Sequence, residues 1–251
     1  MIRAMECPIC RGRAVPHDVV DFNKSCEEVR GKFLPLSGEP IYYNLCHGCG
    51  FCFAPSMYHW SPEMFAEKVY NDDYVTVDPD YTDDRPRRNA DLVSWLLPNF
   101  PRGRRHLDYG GGNGLLARIL RQRGWDSTSY DPLVDRDVDP NTLGRFDLIS
   151  AFEVFEHVPD VRASLKAILP LMREPGVLLF RTVVSDGSIR PNQRLLWWYA
   201  APRNGHVNLF SNRSLAVLAE QHRFSFATAS AGIHIFVRRP PPAWARDLFV
   251  S

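Results

Sequence analysis

The sequence has no long apolar stretch and almost no net charge. Its longest apolar runs, V-L-L-F and L-L-W-W-Y-A-A, are far shorter than the roughly 20 residues with which a helix crosses a bilayer. The 30 basic and 29 acidic residues leave a formal charge of +1, which argues against binding nucleic acid through bulk charge. Repeats and low-complexity segments are also lacking. What remains is a globular chain of 251 residues, 45% of them hydrophobic, which can bury a core.

The start of the sequence, M-I-R-A-M-E, lacks the apolar segment of a secretory signal peptide. The chain nevertheless has six cysteines. Because disulfides persist in oxidising compartments, we expect a cytoplasmic protein whose thiolates bind metal instead.

Four of the cysteines form two C-x-x-C pairs, Cys7 with Cys10 and Cys46 with Cys49. Each pair places two thiolates on one tight turn, and two such turns complete a tetrahedral site that has no open position. That pattern is typical of structural Zn²⁺. The sequence therefore predicts an N-terminal zinc module over residues 1–60, in which Cys26 and Cys52 have no assigned role.

A glycine-rich segment, L-D-Y-G-G-G-N-G over residues 107–114, predicts a strand, a turn and the start of a helix. A dinucleotide site would need a third glycine at position 115, which is Leu115, so the pyrophosphate pattern fails. The next apolar-flanked stretch, W-D-S-T-S-Y-D, ends on Asp131, at the spacing of a ribose-binding acid. A tight turn without any ligand is the alternative at this point.

The same segment resembles motif I of class I S-adenosylmethionine (SAM) methyltransferases, D/E-x-G-x-G-x-G. Asp108, Gly110, Gly112 and Gly114 are in register with it. SAM carries an ammonium and a sulfonium, which favour an acid where a diphosphate would be repelled. Residues 145–160, R-F-D-L-I-S-A-F-E-V-F-E-H-V-P-D, resemble the fourth strand and following helix of this superfamily, particularly in ubiquinone-biosynthesis O-methyltransferases.

The resemblance covers about residues 102–239 and implies an α/β fold with a Rossmann-like, seven-stranded sheet. Few residues separate Asp131 from Phe146, so the third strand should be short or absent. The helix after strand four should begin at Glu156–Val158. The cofactor contacts that the resemblance implies are Asp108, Gly110, Gly112, Asn113, Asp131, Pro132, Phe152, Glu153 and Tyr74.

Tyr74 and Tyr81 lie in a helical connector expected over residues 61–100, where related enzymes fold over SAM. Aromatic packing in a linker is the alternative for both. Ser61 and Pro62 predict the start of a helix there.

Three residues are candidates for the chemistry of transfer. The segment H-V-N-L-F-S-N-R-S-L resembles the H-x-x-x-F-[ST]-x-x-S-L pattern of this branch, in which Ser211 caps a helix and His206 lies ahead of it. His206 could accept a proton from the substrate or simply pin the loop. His157 and Glu156 are the rivals, and in ubiquinone-type enzymes the matching residues are associated with a divalent metal, an option that stays open here.

A zinc module ahead of a methyltransferase domain, here over residues 101–251, resembles the arrangement in bacterial deoxysugar C-methyltransferases. We expect SAM-dependent methyl transfer to an oxygen, less so a carbon, of a small molecule such as a sugar, polysaccharide precursor or secondary metabolite. An RNA methyltransferase and a non-catalytic zinc-ribbon scaffold are the alternatives. The sequence predicts no oligomeric state.

Overall fold

The computed structural model describes residues 4–238 and 240–249. The strands are β1 (Met5–Glu6), β2 (Arg13–Asp21), β3 (Pro40–Cys46), β4 (Cys52–Phe53), β5 (Arg105–Tyr109), β6 (Asp126–Tyr130), β7 (Phe146–Phe152), β8 (Met172–Arg181), β9 (Asn208–Leu209), β10 (Ser225–Ser230) and β11 (Ile233–Val237). The α-helices are α1 (Pro62–Lys68), α2 (Tyr74–Val77), α3 (Asp84–Leu96), α4 (Leu115–Gln122), α5 (Val161–Ile168) and α6 (Asn212–Gln221). Within the described ranges no helix has the length and apolar character to cross a membrane.

The chain forms two compact units, each assembled from separate stretches of sequence. Unit 1 contains the residues up to Pro79 together with Phe155–Asp160 and Val183–Gln221. Unit 2 contains Asp80–Val154, Val161–Thr182 and the residues from His222 onwards. The sequence-based division at residues 60 and 100 stays a prediction.

Unit 1 is built on an antiparallel sheet with the strand order β1-β2-β3-β4-β9. Its last strand comes from far along the chain, since Leu209 pairs with Cys52 and Asn208 with Phe53. A core cluster of apolar residues packs in this unit and includes Tyr43, Met57 and Tyr199. Burial of such large side chains supplies most of the driving force for folding.

Unit 2 is built on a six-stranded sheet with the order β10-β11-β8-β7-β5-β6. The four strands β8, β7, β5 and β6 are parallel, and β10 and β11 form an antiparallel pair at the β8 edge. All seven residues of β7 are buried, as a central parallel strand requires. This sheet confirms the Rossmann-like α/β prediction.

The third strand of the expected sheet is missing from the described residues, as the short spacing predicted. Between β6 and β7 the chain makes only a 3₁₀ turn, Pro140–Leu143. The segment from Asp131 to Pro140 alternates acids with short apolar residues and includes two prolines, which do not sustain a buried strand.

The predicted helix starts are confirmed where a capping residue precedes them. Ser61 Oγ accepts a hydrogen bond from the Met64 N–H at 3.3 Å at the start of α1. Ser211 Oγ accepts one from the Ser214 N–H at 3.0 Å at the start of α6. These contacts satisfy backbone donors that have no partner inside the helix.

One element prediction was wrong, because the helix after β7 begins at Val161 and not at Glu156. Pro159 disfavours a helical conformation at Val158. In addition, the Glu156 carbonyl accepts the N–H groups of Val207 and Asn208 at 2.8 and 3.1 Å, so it is not available for a helical bond. Glu156 and His157 therefore lie in a turn.

Candidate functional site

The three consecutive glycines after β5 have different environments. A Cβ at Gly110 would lie 2.6 Å from Val154 Cγ2, and one at Gly111 would lie 2.3 Å from Ser129 Oγ. A Cβ at Gly112 would meet nothing within 4 Å, although its φ of +52° still favours glycine. The turn is thus closed on two sides by packing, and open at Gly112, where a ligand can approach the backbone.

Asp131 is hydrogen-bonded to this turn. Its Oδ2 accepts the Gly112 N–H at 2.9 Å and its Oδ1 accepts the Leu133 N–H at 2.8 Å. The Asp135 carboxylate in turn accepts the Asp131 N–H at 2.8 Å. The structure therefore brings together two of the sequence-predicted cofactor residues, and the exposed Pro132 follows directly.

Asp108 lies at the other side of the turn and is buried. Its Oδ1 accepts a hydrogen bond from Ser150 Oγ at 2.8 Å. Burial raises the pKa of Asp108 to about 7, and the charge of Asp131 adds to that rise, whereas the Ser150 hydrogen bond opposes it. A buried acid of this kind favours a cation beside it, which fits the ammonium of SAM and not a phosphate.

The raised pKa of Asp108 gives a testable stability profile. The folded protein keeps this proton up to about pH 7 while the unfolded chain loses it near its ordinary value of 3.8, so the contribution is fully present below pH 4 and lost as the pH rises through 7. Asp108→Asn removes the ionisation and should therefore raise the melting temperature relative to wild type more at pH 8 than at pH 5. Differential scanning fluorimetry without cofactor measures this, and an equal difference at both pH values would contradict it.

The remaining predicted cofactor residues of unit 2 have structural contacts of their own. Asn113 donates from Nδ2 to the Thr82 carbonyl at 2.8 Å and accepts the Leu115 N–H at 3.0 Å, so it leads the chain into α4. Phe152 belongs to the core cluster of this unit. Their cofactor contacts stay predictions.

Glu153 follows β7 and has a left-handed backbone, with φ of +54°. Its N–H donates to the Arg181 carbonyl at 3.0 Å, and its Oε1 lies 3.2 Å from Arg181 Nε. A non-glycine residue held at positive φ costs of order 1–3 kcal/mol and persists where its surroundings fix it. The turn that carries Glu153 is therefore held in one conformation at the carboxyl end of a central strand.

The four cysteines of the two C-x-x-C pairs converge in unit 1, and their sulfurs all lie within 4.8 Å of one another. Cys7 Sγ lies 3.7 Å from Cys49 Sγ, and Cys10 Sγ lies 3.4 Å from Cys46 Sγ. A tetrahedral ion with Zn–S bonds of about 2.3 Å requires sulfur separations of roughly 3.8 Å. The hydrogen bond with Cys49 lowers the pKa of Cys7 to about 5 and raises that of Cys49. This donor set is consistent with a structural zinc ion.

Residues in and beside the antiparallel sheet of unit 1 are hydrogen-bonded to the segment that carries His206. Tyr43 Oη donates to the His206 carbonyl at 2.8 Å, and the Ala54 N–H donates to the Val207 carbonyl at 2.9 Å. Ser211 Oγ donates to the Cys49 carbonyl at 2.5 Å. Cys49 of the second C-x-x-C pair and the nearby residues Tyr43 and Ala54 thus hold residues 206–211 in place, through contacts that no local pattern in the sequence predicts.

His206, His157 and Glu156 lie together in unit 1, where a ring nitrogen of each histidine and a carboxylate oxygen of Glu156 are within 4.8 Å of one another. His206 Nδ1 lies 2.8 Å from the Tyr199 carbonyl, and the ring centroids of His157 and His206 are 4.8 Å apart. The Tyr199 hydroxyl donates to Glu156 Oε1. The sequence analysis predicted no polar contact for Tyr199, because a tyrosine in the apolar run L-L-W-W-Y-A-A gives no signal for one.

Tyr74 and Tyr81 differ in their surroundings. Tyr74 is buried in the core cluster of unit 1, and its hydroxyl lies 3.4 Å from the Asn204 carbonyl. Tyr81 is 41% exposed. The lid role of both residues stays a prediction.

Residues 81–228, more than half of the chain, match the family described as "Methyltransferase domain". The chain belongs to this methyltransferase family. The motifs at residues 107–114 and 145–160, together with the strand order, place it among the class I SAM-dependent methyltransferases, and SAM is therefore its cofactor.

Among curated proteins, the methyltransferase is 27% identical over 117 residues to the ubiquinone biosynthesis O-methyltransferase of Bordetella avium (strain 197N), covering 36% of this chain and 48% of that protein. It is 30% identical over 115 residues to the enzyme of the same name from Azotobacter vinelandii (strain DJ / ATCC BAA-1303), covering 36% and 50%. The chain thus spans about half the length of the curated relatives it matches.

Among solved structures, the Burkholderia thailandensis 1,6-didemethyltoxoflavin-N1-methyltransferase with bound S-adenosylhomocysteine (SAH) is 20% identical to this methyltransferase. The comparison covers 76% of this chain and 96% of that chain, with a TM-score of 0.47.

Proposed function

We propose that the protein transfers the methyl group of SAM to an oxygen atom of a small molecule, and that His206 accepts the proton which that oxygen loses. An acceptor carbon is the less favoured case. The observation that carries the proposal is the fixed orientation of His206 by the Tyr199 carbonyl. A sugar, a polysaccharide precursor or a secondary metabolite is the substrate class we favour.

A backbone carbonyl can only accept a hydrogen bond, so the nitrogen beside it must carry the proton. The 2.8 Å contact with Tyr199 therefore assigns N–H to His206 Nδ1 and makes Nε2 the basic nitrogen in the neutral ring. Glu156, held by the Tyr199 hydroxyl, lies within 4.8 Å of the histidine and would stabilise the imidazolium that forms. His206 thus has the chemistry of a general base, with Glu156 as its supporting acid.

One exposed aromatic side chain, Trp198, packs against the tyrosine beside this base and favours an acceptor with a ring. The ring centroids of Tyr199 and His206 are 4.1 Å apart, and that of Trp198, which is 37% exposed, lies 5.2 Å from Tyr199. Such faces stack on sugars and on flat rings. The ubiquinone-biosynthesis relatives support an oxygen acceptor.

Asp108, Asp131 and the backbone at Gly112 are the groups we propose to hold the cofactor. When bound, SAM supplies a methyl group that is already activated for transfer. Orientation of the acceptor oxygen then contributes most of the acceleration, roughly 7–11 kcal/mol, and removal of the proton by His206 a further 10²–10⁴-fold, on the order expected for general bases.

His206→Asn tests the base. The asparagine amide keeps a donor near the Tyr199 carbonyl and removes Nε2, so SAH affinity should stay within about twofold while kcat falls by roughly 10²-fold or more. Turnover is measured as SAH formation with a panel of nucleotide sugars and catechols as acceptors. The exposed His59→Asn serves as the matched control and should keep full activity. Unchanged kcat in His206→Asn would overturn the assignment.

A divalent cation is the second candidate for the same three residues. Glu156, His157 and His206 offer one carboxylate and two imidazoles within 4.8 Å of one another, a donor set that suits transition metals. Metal analysis after dialysis against Mn²⁺ decides the point. Two ions per wild-type chain and one per His206→Asn chain would favour the metal, whereas one ion in each protein would leave His206 as the base.

A further inference from the structure

Below the glycine turn of unit 2 runs a chain of buried hydrogen bonds that connects three strands. His106 of β5 contacts Ser127 Oγ of β6 through Nδ1 at 2.8 Å and Ser150 Oγ of β7 through Nε2 at 2.9 Å. Ser150 Oγ then donates to Asp108 Oδ1 at 2.8 Å. His106 and Ser150 are fully buried, and Asp108 is nearly so. His106 has no part in the chemistry described above, and Ser150 enters it only through its hydrogen bond to Asp108.

The direction of every proton in this chain follows from Asp108. When the carboxylate is ionised it can only accept hydrogen bonds, so Ser150 donates its single hydroxyl proton to Asp108. Ser150 must then accept from His106 Nε2–H, and Nδ1 of the neutral ring accepts from the Ser127 hydroxyl. If Asp108 holds a proton and donates it to Ser150, each donor and acceptor reverses and the proton of His106 moves to Nδ1. The tautomer of His106 is therefore tied to the charge of Asp108.

We propose that His106 is a positioning residue of the cofactor site, which acts through Ser150 to keep Asp108 in the ionised form that accepts the cationic end of SAM. The proposal rests on SAM being the cofactor. Two further observations support it. Burial lowers the pKa of His106 to about 3, so the ring is neutral and has both a donor and an acceptor. The Trp125 ring packs edge-on to His106, with centroids 5.9 Å apart, and helps to fix its orientation.

The charged group that acts on Asp108 is Asp131, whose negative charge opposes ionisation, while burial opposes it more strongly. Ser150 is the hydrogen-bond donor that favours the ionised form. Around His106 the hydrogen-bonding partners are the hydroxyls of Ser127 and Ser150. In the absence of a bound cation, the serine and histidine chain is thus what offsets the cost of a buried carboxylate charge.

The test is the pH dependence of SAH affinity, measured by calorimetry between pH 5.5 and 8.5. Wild-type affinity should fall as the pH decreases through the pKa of Asp108, because the protonated acid no longer attracts the SAH ammonium. Ser150→Ala removes the donor and should shift this midpoint upward by about one to two pH units, the effect of one hydrogen bond to a charge. His106→Phe should shift it in the same direction, and His106→Gln, whose amide can still donate to Ser150, should restore it. Asp126→Ala, which changes an exposed side chain outside this hydrogen-bond chain, is the control with an unchanged midpoint.

The imidazole ¹⁵N shifts of His106 in the wild-type protein provide a second readout, and its signal is assigned as the one that is absent from the spectrum of folded His106→Phe. The protonated nitrogen should change from Nδ1 at pH 5.5 to Nε2 at pH 8.5, and SAH should favour the Nε2–H form. One tautomer throughout, or midpoints that do not move in folded Ser150→Ala and His106→Phe, would overturn the proposal while leaving SAM as cofactor. A wild-type protein that binds no SAH at any pH would instead overturn the cofactor assignment itself.

Discussion

Asp131→Ala is expected to weaken SAH binding by at least about 100-fold. The carboxylate is held against the glycine turn by the Gly112 N–H, and it is the acceptor we assign to the ribose hydroxyls. Loss of two hydrogen bonds to a charged acceptor, each of about 1.5–3 kcal/mol, corresponds to that factor or more. Calorimetric titration with SAH near pH 8, where Asp108 is ionised, measures the change.

Two companion variants show whether the loss is specific. Asp126→Ala removes an exposed acid at the start of β6, the strand that Asp131 follows. Its 3.7 Å pair with Arg105 is a surface contact of little energy, so affinity should stay within about twofold. Asp131→Asn keeps an acceptor for the Gly112 N–H without the charge and should give an intermediate affinity. Equal affinity in Asp131→Ala and wild type would remove Asp131 from the site.

Cys46→Ser is expected to abolish zinc binding and to lower the melting temperature by more than about 10 °C. Structural zinc contributes apparent free energies of about 10–16 kcal/mol in small zinc-binding peptides, which is as large as the total stability of many domains. The loss of zinc should also release residues 206–211, which are held by hydrogen bonds to Cys49, Tyr43 and Ala54. Metal analysis, thermal unfolding and amide hydrogen exchange over residues 206–211 report the three effects separately.

Cys52→Ala is the matched control for the zinc variant. Cys52 is fully buried in β4, belongs to the apolar core cluster and is not one of the four cysteines whose sulfurs converge. The Cys52→Ala protein should retain one zinc per chain, and its stability should fall only by the effect of the small cavity that the missing sulfur leaves. Full zinc content in Cys46→Ser, or normal exchange protection over residues 206–211 in the zinc-free protein, would contradict the role given to the module.

Local signals predicted most of unit 2 correctly. The glycine turn, the positions of Asp108 and Asp131 beside it and the buried strand β7 each follow from a few neighbouring residues, because turns, caps and strand periodicity are short-range properties. The start of α5 was predicted wrongly, since the family pattern outweighed Pro159, and since the Glu156 carbonyl is taken by residues some fifty positions away. A long-range hydrogen bond leaves no mark in the local sequence.

The sequence by itself determined the chemistry that is available: four cysteines spaced for one zinc ion, a glycine turn flanked by two acids, and a histidine ahead of a capped helix. Only the tertiary structure decided which of these groups act together. Pairing of β9 with β4 joins the antiparallel sheet of unit 1 to the segment that carries His206, and the register of β5, β6 and β7 pairs His106 with Ser127 and Asp108 with Ser150. Such pairings depend on sheet order and register, which are set by burial of the whole core and not by any one segment.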